Sequence, residues 1–590
     1  DFALKHGMAE YAVDSLVLVA AARDGISRLT ITSDILSASY SGSVAITDLP
    51  AVFAGHVDRY FDLRHLGAEG DAEARRFEFF VTLHDPRLLA EVFVPGLRDL
   101  SPSTVRGSYS DGDRLLEVRV DVPRLHYGSI EVDSLLVRVT SDKNSIGYGV
   151  RASRLALGSF ESFAPEIRGF VEGNVLSADI AAHDEEMNVA FALGGRLTSA
   201  DDVYTFMLGS DRLVINYEPW KVSEDNHVRF GGGVLFVNNL MIHRADAVVA
   251  VQSDEGDEIA PPVGISIKEF DISSVPRMLG NQDLELAGIV NATVRLSEVF
   301  GETKAAADVS LREFVFGGCA VGDIAVKVSR ESADRYDLEA SLAGHGNHLY
   351  ASGYVSTGDG AGEIDLAVEI RNIELASLEG FAMGELTDMS GRVNGALAIA
   401  GSADDPSMSG TIVFSDASFR AARLNSHLRL ADEAITFGRN AIAFRDFTIL
   451  DEAGNRAVIE GSIYADEFSG HAFALDIRST DFMLMNTTRR HNDQFYGRII
   501  IDSEISVRGD RNRPAIKATL GFRNGTELTV VVPERDPTLA AREGIVEFAR
   551  MDDEGKSIRM PEDEFGGTRS ALQGIEVAAN IEVDRRTNVL

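Results

Sequence analysis

Gly391-Arg-Val-Asn-Gly-Ala-Leu-Ala-Ile399 is the stretch on which the fold turns. After its opening glycine, Val393, Leu397 and Ile399 fall on one face of an extended chain while Arg392, Asn394 and Ala396 fall on the other. That period of two belongs to a strand with one dry and one wet side. The phrase recurs as Gly497-Arg-Ile-Ile-Ile-Asp-Ser-Glu-Ile505 and Gly288-Ile-Val-Asn-Ala-Thr-Val-Arg-Leu296. The opening glycines, at 288, 391 and 497, stand 103 and 106 residues apart. A fixed period implies stacked repeats in place of a compact catalytic domain.

The repeat extends beyond the glycine. Upstream of the three copies lie Ile267-Lys268, Ile370-Arg371 and Ile477-Arg478, each read as a strand end. Downstream, the turns from Gly401 to Pro406 and from Gly509 to Pro514 each lead into a second strand. The chain accordingly divides into β-groove segments at 1–106, with short helices near 48–61 and 85–94, and at 107–287. Repeat segments follow at 288–390, 391–496 and 497–590.

Alternation dominates elsewhere. Ile364, Leu366, Val368 and Ile370 oppose Asp365, Ala367 and Glu369, and Ile324, Val326 and Val328 oppose Asp323, Ala325 and Lys327. Helical signals are few. Asp48-Leu-Pro50 opens a segment with Phe53, Val57, Tyr60 and Phe61 on its apolar side, Asp85-Pro86 opens another, and Leu375, Leu378 and Leu386 suggest a third. A sandwich or barrel normally completes itself within about 100 to 250 residues. A repeat that runs on past this length points to one long antiparallel sheet curled on itself. At about 12 residues per strand and turn it holds roughly 45 to 50 strands and reaches on the order of 200 Å.

Composition excludes several function classes. Apolar content of 45% with 25% charge is that of a folded chain, not a disordered one. A net charge of −36 without a basic stripe argues against a nucleic-acid partner. The single Cys319 forbids an internal disulfide. The longest apolar run near the start, Leu16 to Ala22, is too short to cross a bilayer, so a membrane anchor is expected outside this stretch. No Gly-x-Ser-x-Gly elbow and no phosphate-binding loop occur, and His345 and His348 read as a solvated turn instead of metal ligands. The expectation is a non-enzyme without metal or cofactor.

Residues 370–550 resemble the carboxy-terminal region of the TamB family, within the AsmA-like group of envelope proteins. The resemblance rests on Met389-Ser-Gly-Arg-Val-Asn-Gly395, Ser409-Gly410, Ile435-Thr-Phe437, Phe447-Thr-Ile-Leu-Asp451, Ile459-Glu-Gly461, Val530-Val-Val-Pro533 and Gly544-Ile-Val-Glu-Phe548, in that order, together with the two turns. It implies a taco-like β-groove with an apolar lining, similar to bridge-like lipid-transfer proteins. It also implies a periplasmic location in a two-membrane bacterium, an inner-membrane anchor, phospholipid acyl chains as cargo and a TamA/BamA-type outer-membrane barrel as partner. The expected groove lining is Val290, Val294 and Leu296; Ile324, Val326 and Val328; Ile364, Leu366, Val368 and Ile370; Val393, Leu397, Ile399, Ile412 and Phe414; Phe473, Leu475 and Ile477; and Ile499, Ile501, Ile505 and Val507. A scaffold for barrel assembly and a passive β-solenoid stalk are the alternatives.

Overall fold

Alternating β-branched residues favour extended backbone through most of the chain, and the computed structural model of the protein is 72% strand and 6% helix. The described residues are 2–62, 75–86, 94–278, 281–531, 576–583 and 588–589, with internal breaks of no more than four residues. They contain 41 strands, fewer than length alone suggests because many are long: Gly470–Thr487 has 18 residues and Leu386–Ser402 has 17. The chain forms two compact units. One comprises Asp1–Val315 with Ala325–Arg330, and the other Phe316–Ile324 with Glu331–Leu590.

Within each unit the strands pair mainly with their neighbours in the chain, antiparallel. In the first unit, among the described residues, Leu16–Arg23 pairs only with Ile26–Ser33, which pairs on with Leu36–Gly42 and so through the sheet. In the second, the ladder of Arg335–Gly344, Asn347–Ser356, Glu363–Glu374, Leu386–Ser402 and Pro406–Ala421 runs without a crossover. Its last described strands depart from this rule, since Glu576–Val583 lies parallel to Pro514–Phe522.

The supposed strand ends at Ile267-Lys268, Ile370-Arg371 and Ile477-Arg478 are interior to strands. Val263–Asp271, Glu363–Glu374 and Gly470–Thr487 all continue past them through a β-bulge. The register slips between Ile267 and Phe270, between Ile370 and Ile373, and between Ser479 and Phe482. Bulges recur in other strands, and several hold a non-glycine residue at positive φ, among them Glu269 (45°), Asp446 (51°) and Asp481 (49°). The neighbouring strand compensates this strain: the Glu269 N–H donates to Asn291 Oδ1 at 3.0 Å, and the Asp481 N–H to Asp502 Oδ1 at 2.7 Å. A bulge bends its strand and raises the local twist, so bulges repeated in strand after strand curl the sheet.

The repeat glycines serve the same curvature. Gly288, Gly391 and Gly497 all sit at positive φ, of 144°, 92° and 134°. A Cβ at Gly497 would lie 1.9 Å from the Glu527 carbonyl oxygen, and one at Gly391 2.4 Å from that of Asp416, so no side chain fits at either.

Helix α1, Leu49–Asp58, follows a 3-10 turn at Ile46–Asp48, with Pro50 in its first turn as the sequence leads one to expect. The helix expected at 85–94 falls on residues of which only 85, 86 and 94 are described. The third is a 3-10 segment, Leu375–Ala382, and Leu386 instead opens the following strand. A short helix unforeseen from sequence, Val275–Met278, follows Asp271, whose side chain accepts from the Ser273 N–H. The chain's alternation hides it, but Asp271 as a cap and Pro276 are a legible start signal.

Candidate functional site: one apolar sheet face in each unit

Residues paired across an antiparallel ladder project to the same face, so register maps the faces directly. In the first unit one row runs from Leu18 through Ile31, Ala38, Val81, Val105, Val120, Val137, Val150, Ile167 and Ile180 to Leu193, apolar at every step. Farther on, Phe270 pairs with Val290, Ile265 with Val294 and Val263 with Leu296, so these three sequence-chosen residues share a face. Val326 and Val328 are half-buried at alternate positions of Cys319–Ser332, between exposed Ala325 and Lys327.

The second unit repeats the pattern. Ala340, Ala351, Val368, Leu397, Gly410, Phe437, Ile442, Ile463 and Phe473 form one row. Beside it lie Leu366–Ile399, Ile373–Val393–Phe414 and Leu349–Ile370–Gly395–Ile412, while Ile364 opposes Gly401. Leu475 pairs with Val507, Ile477 with Ile505, Phe482 with Ile501 and Met485 with Ile499, which brings the last sequence-chosen residues onto the same alternation. Ile324 is half-buried in its strand. The reverse face is polar and tied by ion pairs such as Arg508–Asp476 at 2.8 Å and Arg371–Glu369 at 2.9 Å.

Of the residues chosen from sequence, Val393 and Ile501 are buried, the rest are half-buried and none is exposed. Such intermediate burial is what a single apolar layer gives when no second sheet packs on it. Packed cores form only locally. The Leu375–Ala382 segment helps bury Ile373, Val393 and Ala417, with Ile370, Ile412 and Phe414 against them. It is held by the fully buried Asn347, whose Nδ2 donates to Val321 O and Ser377 Oγ and whose Oδ1 accepts from the Glu374 N–H.

In the first unit α1 and the residues after it lie on the apolar face. Val52 and Phe53 meet Tyr40, Phe77 and Tyr109, and Tyr60 and Phe61 meet Ile146 and Val171. Polar bonds clasp this cover to successive strand turns. Arg59 pairs with Asp111 at 2.6 Å, the Tyr60 hydroxyl donates to Asp142 O, and Asn174 bonds Tyr60 O and the Asp62 N–H. Burial works to raise the Asp111 carboxyl, but the bonds from Arg59 and Tyr109 overcome it and hold the group below its usual range. Burial, with the bond to Asp111, pushes the Tyr109 hydroxyl up to about 12. On the underside of the helix, His56 is fully buried, with Nε2 2.9 Å from Ser141 Oγ and, among the described residues, no partner at Nδ1. Burial, reinforced by Arg59, drives its imidazole down to about 4. Sequence reading passed over His56 because it sits among aromatics on a helix face that reads simply as apolar.

Residues 336–441 and 445–587 match the family model of the TamB C-terminal domain, and the matched residues lie within the second unit. The second unit of this chain carries a TamB C-terminal domain. The family match thus falls on the ladder with the most regular apolar rows. No curated protein and no solved structure matches the chain significantly. Among the described residues of the chain that carries this TamB domain, no helix is long and apolar enough to cross a membrane, and no cluster of three or more His, Cys, Asp or Glu side chains is placed to hold a metal ion.

Proposed function

We propose that the chain is a periplasmic lipid conduit, carrying phospholipid between inner and outer membranes along the apolar face of its sheets and so supporting outer-membrane biogenesis. The observation that carries this reading is the same-face register of apolar residues within each unit, half-buried in the second and half-buried to exposed in the first. An acyl chain in water costs about 0.8 kcal/mol per exposed methylene, so a continuous dry wall lowers the cost at every point of travel. Half-buried side chains keep contact area for a guest, which a close-packed core has already used.

The residues from Val290 to Val507 named above line this path, and none needs to react. On this reading the conduit is non-catalytic and uses no cofactor. Native mass spectrometry of the purified chain, followed by lipid extraction, tests the reading. Several phospholipids per chain are expected, and a folded chain free of lipid overturns it.

A second reading is a scaffold for outer-membrane strands with a TamA/BamA-type barrel partner. It draws on Glu576–Val583, which among the described residues is paired on one side only. Such an edge accepts a further strand by β-augmentation. Crosslinks from this strand to nascent barrel proteins, with no lipid recovered, would favour it.

A further inference from the structure

The wet face of the first unit carries a feature that solvent exposure alone does not explain. Strands Ile26–Ser33, Leu36–Gly42, Arg76–Leu83, Ser103–Ser110 and Leu115–Tyr127 are neighbours, and their polar faces line two open depressions of about 690 and 800 Å³. Both are lined by Ser41, Glu78 and Ser108, so they form one trough. Either is the size of a small-molecule site.

The trough is walled by Arg28, Ser41, Glu78, Arg106, Ser108 and Glu117. Among the described residues none of these six side chains has an intramolecular hydrogen bond or ion pair, in contrast to the paired Arg508 and Asp476 of the second unit. Phe80 sits among them. It is paired in register with Ser39 and Arg106 on the polar face, and it is 46% exposed.

The chemistry of the lining selects its ligand. Arginine only donates, ionised glutamate only accepts and serine does both. A phosphate or sulfate, which only accepts, would face the repulsion of Glu78 and Glu117 and leave both unpaired. A ligand satisfying all six must donate and accept along its length and carry no strong charge, and to use Phe80 it must also present a flat apolar patch. A sugar ring has hydroxyls around its rim and a face of C–H groups that stacks on an aromatic ring. We propose that this trough is a saccharide-binding site for a neutral oligosaccharide of two or more rings, separate from the apolar face and independent of the lipid reading.

The test titrates the full chain with chitotetraose and maltotetraose, by calorimetry and by saturation-transfer NMR, at up to millimolar concentration. Inorganic phosphate and anionic phosphatidylglycerol vesicles are run alongside. Binding of at least one tetrasaccharide is expected, with contact signals from its C–H face. Phe80→Ser should weaken it about fivefold to tenfold by removing the stacking surface, and Glu78→Gln should weaken it as well. Both positions are exposed, so the fold should persist, and circular dichroism together with an unchanged thermal melting curve checks that it does. Absence of saccharide binding overturns the proposal. So does binding unaffected by Phe80→Ser in a folded variant, or a response to phosphate or vesicles in place of sugar.

Discussion

Replacing Leu397 by glutamate puts a carboxylate into the middle of the second unit's apolar row, between Val368 and Gly410. Gly410 offers no side chain to shield it, so the charge reaches over that glycine onto the dry face. Leu397 is half-buried, and with no guest present the carboxylate keeps its water, so the fold should lose only about 1 kcal/mol. A passing acyl chain meets two penalties. It loses contact with the leucine, about 2 kcal/mol, and it strips water from the carboxylate for roughly 2 kcal/mol more. A local barrier of about 4 kcal/mol slows passage close to a thousandfold. Phospholipid transfer from donor to acceptor vesicles measures this, with thermal unfolding as the check on folding. Ala396→Glu is the control, because Ala396 is exposed on the opposite face one residue away. Transfer by folded Leu397→Glu within a few-fold of wild type, or equal loss in both variants, refutes the conduit argument. The same charge at Ile501 is less informative, since that side chain is buried and its replacement attacks the fold itself.

His56 makes the first unit acid-sensitive. Its folded pKa of about 4 lies below the usual 6.5, so the unfolded chain binds the extra proton between those values, and stability is full above pH 6.5 and falls toward pH 4 by about 3 kcal/mol; melting followed from pH 7 to 4.5 should show the decline, and His56→Gln should flatten it. Asp111→Asn removes the charge that holds Arg59 and should loosen α1 by about 1–3 kcal/mol, seen as faster hydrogen exchange at 49–62 with the second unit unchanged. Gly497→Ala drives a methyl into the Glu527 carbonyl and should cost more than about 1 kcal/mol, whereas Gly454→Ala, at similarly positive φ but with open space around it, should cost less; equal losses in urea unfolding would remove the close-approach argument.

Much of the architecture was legible because a half-wet sheet imposes alternation on sequence. The period of two from Ile364 to Ile370 and from Ile499 to Val507 identifies a face whatever the neighbouring strands are. The bulges are also written there, as a phase jump of three from Ile267 to Phe270 and from Ile370 to Ile373. Such jumps are easily taken for strand ends, because a bulge and a terminus both interrupt alternation and only pairing on the far side tells them apart.

The sequence by itself determined the strand class, the dry and wet sides of each strand and the repeat glycines, since these follow from local sterics and the hydrophobic period. Tertiary structure alone decided which strand partners which, and therefore that Leu397 meets Val368 and Gly410 to join separate dry faces into one row. It also decided that Asp111, Asp142 and Asn174, far apart in the chain, clasp the one segment that follows α1, and that Arg28, Glu78 and Arg106, without ion pairs among the described residues, gather about Phe80. Register is a property of pairs of strands, and no single strand carries the information that sets it.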